Sequence, residues 1–336
     1  MSGFHACGQG TMQALFVPLS GWPTILTCTA DARMSRGYPG IGEVVVISEC
    51  QLAVTVLAGL LPAGRRVGLE TTSHYLSVHD HRQLVQMAGV QFEDFDGVIE
   101  GRRRVKGPVE LERMRRAAAT AEAGMTEALS AIRPGATEND IAAAFYAGSI
   151  AAGSDYVGHP PVVVAGRRSA QSFARWRRKA IGHGDVVMVE GAGCVDRHHA
   201  VMARSAIVGT PTEEHKACAE ALVTLLEAAT EVIRPGRTAG DIDRHCRATM
   251  ERYGLDNHVS SRTGYSIGLG FPSGPEGCSR AVRPEDGTVL RENMTFHLVP
   301  TLAREDFVMA ISDTVRVDAG GCEMLTRFPR ELVVVD

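Results

Sequence analysis

The sequence predicts a mixed α/β (α+β) chain in two parts: a small N-terminal αβ domain over residues 1–107 and a larger αβ domain over residues 108–336, assembled from two copies of one unit. The first observation behind this is an internal repeat. Ile132-Arg-Pro-Gly-Ala-Thr-Glu-Asn-Asp-Ile141 returns as Ile233-Arg-Pro-Gly-Arg-Thr-Ala-Gly-Asp-Ile242, with seven of ten positions identical. The second is what surrounds each copy: a long amphipathic stretch before it and a Gly-rich apolar region with strand character after it. Two copies at so long a period argue for a duplicated αβ domain and against a solenoid. Halves of that kind bury their sheets against each other and leave a ligand cleft between them. The third is a change of texture near residue 107, where short apolar runs broken by Gly and Pro give way to helical periodicity.

Taken in order, Ala14–Leu19, Thr24–Thr27, Glu43–Ser48 and Arg66–Leu69 are apolar or β-branched runs set off by Gly-Trp-Pro, Tyr-Pro-Gly and Pro-Ala-Gly, and they read as strands. Gln51–Leu61 and His79–Ala88 read as helices. Glu100–Pro108 is charged and bounded by Gly and Pro, which reads as a linker with a solvated basic run. Beyond it, Met114, Ala118, Ala121, Met125, Ala128 and Ile132 recur at steps of three and four, the apolar face of a long helix that Arg133-Pro134-Gly135 stops. Thr137 caps a second helix through about Ala147, and Ala217–Val232 repeats the long helix. Between the copies, residues 186–189 and 205–208 read as two apolar strands. The segment joining them carries Glu190, Asp196, Arg197, His198, His199 and Arg204. The Gly191-Ala-Gly193 step reads as a turn that leaves the Glu190 carboxylate at a strand end.

Bulk properties exclude several classes. Hydrophobic residues at 44% and charged residues at 22% are those of a globular protein with a full core. A net charge of −4 supplies no global drive toward nucleic acid or a membrane surface. No apolar run approaches the roughly 18 residues a membrane helix needs, and Met1-Ser-Gly-Phe-His-Ala-Cys7 lacks the pattern of a secretory signal. Eight widely spaced cysteines without metal-ligand spacing point to reduced thiols and a cytoplasmic location.

The repeated helix–Ile-Arg-Pro-Gly–helix unit, Gly184-Asp-Val-Val-Met-Val-Glu190-Gly-Ala-Gly193, Arg204-Ser-Ala-Ile-Val-Gly209 and Gly264-Tyr-Ser-Ile-Gly-Leu269 together resemble the pita-bread superfamily of methionine aminopeptidase, prolidase, creatinase and ectoine hydrolase. The resemblance runs from about Glu110 to the end and more weakly over the first hundred residues, which look like the family's smaller N-terminal domain, apparently shortened. In the metallopeptidases it implies two divalent metals held by Asp, Asp, His, Glu and Glu. By motif those positions fall on Glu190, Val201, Tyr265, Val299 and Ser312. Valine offers no donor, and neutral tyrosine and serine are poor ones, so no metal and no other cofactor is expected. Arg197-His-His-Ala200, Met294-Thr-Phe-His297 and Phe328-Pro-Arg-Glu-Leu332 resemble the metal-free branch, ectoine hydrolase first and creatinase second. That branch implies a homodimer opening a non-peptide C–N bond (amide, amidine or cyclic amide) in a small zwitterionic or anionic metabolite.

Metal-free hydrolysis needs a nucleophile or base, an acid for the leaving nitrogen, and donors for a developing oxyanion. Glu190, His199 and His297 are the candidate catalytic groups, with a structural ion pair from Glu190 to Arg204 or Arg197 as its alternative role. Arg204, Tyr265 and Ser266 are candidate substrate contacts. Phe173 stands where the metal-free branch has a histidine, and phenylalanine transfers no proton. It lies in a loop with Trp176, Arg167, Arg168, Arg175, Arg177, Arg178 and Lys179. Phe173, Trp176 and Arg175 are read as binding an anionic small molecule there; a solvated basic loop is the plainer reading, and nucleic acid is disfavoured by the acidic whole. A catalytically inactive pita-bread binding module, or a related lyase or cyclase, is the competing function.

Overall fold

The computed structural model describes residues 12–336 apart from 37, 39, 49–51, 74, 159, 171–173, 255–261 and 272–280, so Phe173 lies outside the described residues. The chain divides into two compact units, Met1–Ile99 and Glu100–Asp336. In the first, β1 (Ala14–Phe16) pairs antiparallel with β2 (Thr24–Cys28). The helix α1 (Thr29–Ser35) then carries the chain to β3 (Glu43–Ile47), parallel to β2. After α2 (Ala53–Leu60), β4 (Arg66–Leu69) and β5 (Gln91–Asp94) form a separate parallel pair joined by α3 (Val78–Met87). Leu26, Ile47, Val54, Leu57, Leu84 and Ala88 make the core of this unit. Two of its elements, α1 and β5, carry too little apolar periodicity to be read from sequence. The supposed linker is folded as well: α4 (Val98–Arg103) occupies its first half, and Val105 bridges to Met294.

The second unit is the duplicated one. Its first copy is α5 (Pro108–Ser130), α6 (Glu138–Ala151), β6 (Val162–Ala165), β7 (Val186–Val195) and β8 (His198–Val208). The second is α7 (Glu213–Val232), α8 (Ala239–Arg252), β9 (Gly264–Ser266), β10 (Ala281–Val282), β11 (Thr295–Leu298), β12 (Thr301–Ala303), β13 (Val308–Ala310), β14 (Asp313–Asp318) and β15 (Gly321–Met324). A last strand, β16 (Val333–Val335), returns to lie parallel to β8. The repeat is local chemistry performed twice. Thr137 and Thr238 each accept the backbone N–H three residues on, and Asp140 and Asp241 each accept the cap's own N–H, a reciprocal capping box. The turn before each cap docks in the same way, Gly135 donating to Ile181 O and Gly236 to Leu290 O. The backbone enters the following strand through a left-handed residue in both copies, Gly184 and Asn293.

One sheet runs β16-β8-β7-β6 and the other β10-β9-β11-β14-β15. Residues of α5 and α6 (Met125, Ile141, Phe145) pack with Val187, Val189 and Met202, whereas Leu222, Leu225 and Ile242 of α7 and α8 pack with Phe296 and Val315. The sheets join where Ala203 and Ser312 exchange backbone hydrogen bonds of 3.3 and 3.1 Å. Next to that bridge, the Thr314 hydroxyl both accepts from Val201 N and donates to Val201 O. Among the described residues no helix is long and apolar enough to cross a membrane.

The hairpin of β7 and β8 departs from expectation. Its strands run ten and eleven residues, joined only by Asp196 and Arg197, both with left-handed backbone at φ 47° and 64°. Gly191-Ala-Gly193 is therefore mid-strand, and Glu190 is not at a strand end. The glycines are there for closeness. A Cβ on Gly191 would lie 2.1 Å from the Phe145 ring, and one on Gly193 would lie 2.1 Å from the Ala117 carbonyl of α5. Since backbone yields less readily than a ring tip, Gly193→Ala should lower unfolding free energy by about 1–3 kcal/mol in urea titration. A loss under about half a kcal/mol would mean that α5 moves aside freely.

Candidate active site

Strand alternation sorts the hairpin residues. Met188 with Ser205, Glu190 with Ala203, Ala192 with Val201, and Cys194 with His199 are laterally paired and share one face. Val189 with Arg204, Gly191 with Met202, and Val195 with His198 share the other, which α5 and α6 cover. The Glu190 carboxylate, half-buried, thus faces away from those helices. Ala203 carries its row on to Ser312 through the bridge between the sheets. From there the row continues in side chains. The Ser312 hydroxyl is 2.7 Å from His297 Nε2, and His297 Nδ1 is 2.8 Å from the Tyr265 hydroxyl. The Tyr265 and His297 rings meet edge-on at 5.0 Å, and the Arg262 guanidinium lies 4.4 Å over the Tyr265 ring. Ser312 and His297 are fully buried and Tyr265 nearly so. Glu190 therefore shares a face with the hydrogen-bonded chain of Ser312, His297 and Tyr265, with Ala203 standing between.

Arg204 does not belong to it. Its side chain lies on the opposite face, which also removes the suggested Glu190–Arg204 ion pair. A guanidinium has five donors, and five protein acceptors take them. Nε donates to Pro329 O, Nη1 to Ala203 O and Ser312 O, and Nη2 to Phe328 O and Asp313 Oδ1. Burial pulls its pKa down, and the Asp313 charge opposes that. Asp313, itself fully buried, also accepts from Arg330 and the Thr326 hydroxyl. The expected substrate contact is instead a structural clamp.

His199 shares the Glu190 face but lies four residues along β8 from Ala203, roughly 13 Å away, so it does not stand beside Glu190. Its Nε2 accepts from the Gly158 backbone at 2.9 Å and its Nδ1 faces Gly268 O at 3.4 Å. Neighbouring Arg197 donates to Tyr156 O and Gly270 O and stacks 4.0 Å over Tyr156, so both residues fasten flanking loops to the hairpin tip. Ser266, one residue from Tyr265 in a strand, points the other way, toward a small cavity lined by Arg103, Lys106 and Glu110.

On the helix-covered face, His198 Nδ1 meets Asp196 O at 2.9 Å and Nε2 meets Glu110 Oε1 at 3.4 Å. The bond to His198 chiefly lowers the Glu110 pKa from 4.5 to about 2, burial opposes this, and Gly107 N–H adds to it. A depressed carboxylate stabilises the fold at pH above its unfolded value and loses that contribution as pH falls through its folded one. Glu110→Gln should therefore cost about 1 kcal/mol at neutral pH, a modest figure because the group is partly exposed. That cost should shrink as unfolding is measured from pH 4.5 down to about 2. A pH-independent difference would remove the charge from the explanation.

The basic loop is partly committed. Glu138, fully buried at the start of α6, accepts from Ala165 N, Arg168 Nε and Arg177 N. Arg167 pairs with Asp306 and Lys179 with Asp185. Trp176 packs edge-on at 6.0 Å against Tyr146, and the Arg175 carbonyl accepts from Arg168. Sequence reasoning missed both Glu138, an acid in a helix's first turn, and Ser312, which was weighed only as a poor metal ligand. The spacing of Ser312 from His297 offered no local signal.

The five family metal positions do not fit a divalent pair. Val201 and Val299 carry no donor atom, and the hydroxyls of Tyr265 and Ser312 are bound to His297. Among the described residues no three His, Cys, Asp or Glu side chains are grouped to hold a metal ion.

A duplicated αβ body of this kind, two sheets each with its own pair of helices, has the pita-bread fold. The chain belongs to metallopeptidase family M24, whose model matches residues 112–319. It is 30% identical to ectoine hydrolase of Halomonas elongata, over 80% of this chain and 69% of that one. It is 29% identical to an uncharacterised hydrolase/peptidase of Sinorhizobium fredii, over 100% and 90%. Among solved structures, prolidase from Thermococcus sibiricus superposes with a TM-score of 0.89 at 22% identity, covering 99% of this chain and 90% of that one.

Proposed function

We propose that this M24 hydrolase opens a non-peptide C–N bond in a small zwitterionic or anionic metabolite without metal. The observation that carries the reading is the donor set. Of the five family ligand positions only Glu190 keeps a carboxylate, whereas Val201 and Val299 have none. A carboxylate at a position without a metal pair can exchange a proton with substrate, and His297 is the second proton carrier on the same face. The likeness to ectoine hydrolase supports the non-peptide substrate class. The likeness to Xaa-Pro dipeptidase of Pyrococcus furiosus, 25% identical over 80% of this chain and 75% of that one, favours the peptidase alternative. An anionic substrate is supported by exposed Arg177 and Arg178, whose loop is shaped by Glu138.

The deciding experiment is a panel of small cyclic amides, amidines, N-acyl amino acids and Xaa-Pro dipeptides. Each is assayed for release of a free amine with EDTA and, separately, with added Mn2+. Turnover of a non-peptide member that survives EDTA supports the proposal. Dipeptide cleavage that needs Mn2+ overturns it, and binding of macromolecules alone would return the inactive-module reading.

A further inference from the structure

On the face of Glu190, the hydroxyls of Ser205 and Thr314 are spent on backbone. Ser205 donates to Ala310 O and accepts from Ala310 N, and Thr314 does the same with Val201. Ser312 differs. Its hydroxyl is 2.7 Å from an imidazole nitrogen, and the opposite nitrogen of that ring is held at 2.8 Å by Tyr265. A hydroxyl within reach of a base that a third group orients is the arrangement that activates an alcohol for attack.

We infer that Ser312 is a covalent nucleophile toward an acyl carbon, with His297 as its base and Tyr265 as the positioning residue that fixes the ring. This rests on the hydrolase reading above and specifies it: the substrate class is a carboxamide, cleaved through an ester of Ser312. For Nε2 to accept, the ring proton sits on Nδ1 and is donated to the Tyr265 oxygen. In the first half-reaction the Ser312 oxygen bonds to the carbonyl carbon and its proton passes to Nε2. The C–N bond then breaks, and the nitrogen leaves with that proton. In the second, water gives a proton to Nε2 and attacks the acyl carbon. The ester bond breaks, the proton returns to Ser312, and a carboxylic acid departs. Glu190, beyond Ala203 on the same face, accepts a hydrogen bond from the nitrogen as it leaves as the neutral amine, and forms no bond to carbon.

The test needs no knowledge of the natural substrate. Phenylmethanesulfonyl fluoride, a sulfonylating reagent for activated serines, is incubated with the native chain, and the product is read by intact mass and peptide mapping. The inference predicts one sulfonyl group per chain, on Ser312, and none on Ser312→Ala. Tyr265→Phe should slow the labelling at least tenfold and displace its pH midpoint while leaving the melting temperature within a few degrees; a merely structural tyrosine would leave the pH midpoint in place. Absence of label on Ser312 in the native chain overturns it, and so does Ser312→Ala that turns over an amide from the panel as fast as the parent. Labelling of Ser312 together with a panel left intact would uphold the nucleophile and remove the amidase reading, so the two fail separately.

Discussion

Arg204→Ala is expected to destabilise the second unit by about 3–5 kcal/mol, the usual range for breaking a buried ion pair from one side. The guanidinium is fully buried and serves four backbone carbonyls and one carboxylate. Removing it takes the side-chain donor from Pro329 O and Phe328 O, leaves Ala203 O and Ser312 O with their bridge bonds alone, and leaves the buried Asp313 charge to Arg330 and Thr326; desolvated acceptors that lose a donor cost more than the bonds gained in forming them. Urea unfolding at neutral pH measures the loss. Asp313→Ala should fall in the same range, and the double variant should lose clearly less than the two single losses added together, because each single change strands the other partner. Additive losses, or a loss below about 1 kcal/mol for Arg204→Ala, would mean that the clamp is decorative. The clamp also spans the join between sheets, since Ala203 O and Ser312 O, both in the bridge, share Nη1. Its removal should therefore loosen the site as well as the fold.

The second large effect concerns chemistry. Glu190→Gln should reduce kcat/KM on any panel compound turned over by about 100- to 10,000-fold, the range for loss of a positioned acid–base group. Stability should change by under about 1 kcal/mol, because the amide keeps the shape of the carboxylate. Steady-state kinetics beside a urea titration separate the two. Activity retained within a factor of three would take Glu190 out of the mechanism and leave His297 and Ser312 to carry it.

How far the sequence foretold these features depends on the range of the interactions behind them. The duplication was legible because Pro-Gly turns and Thr–Asp caps act over three or four residues, and the structure repeats them at Thr137 and Thr238 down to the docking bonds of Gly135 and Gly236. The hairpin was misread for the opposite reason. Glycines at 191 and 193 look like a turn along the chain, but they answer to Phe145 and Ala117, partners supplied by tertiary packing. Once the strands were cut short, face parity was lost. Arg204 and Glu190 then looked like neighbours although they point apart, and His199 looked adjacent although it lies well along the strand. Ser312, just before β14, meets His297 of β11 diagonally from the His297–Thr314 pair, a contact that sheet register creates.

Two left-handed residues, Asp196 and Arg197, close the hairpin with no slack. This makes the region tolerant of substitution and intolerant of changes in length. Valine at 201 replaces a donor while keeping a residue suited to strands, so the chemistry of the row can drift without disturbing the ladder. A single inserted residue that slipped β8 against β7 would instead turn Ala203, Val201 and His199 toward the helices and swing Arg204 into the cleft. Point replacements on the inner face are therefore the changes this hairpin accepts, the kind that can exchange one reaction for another on an unaltered frame.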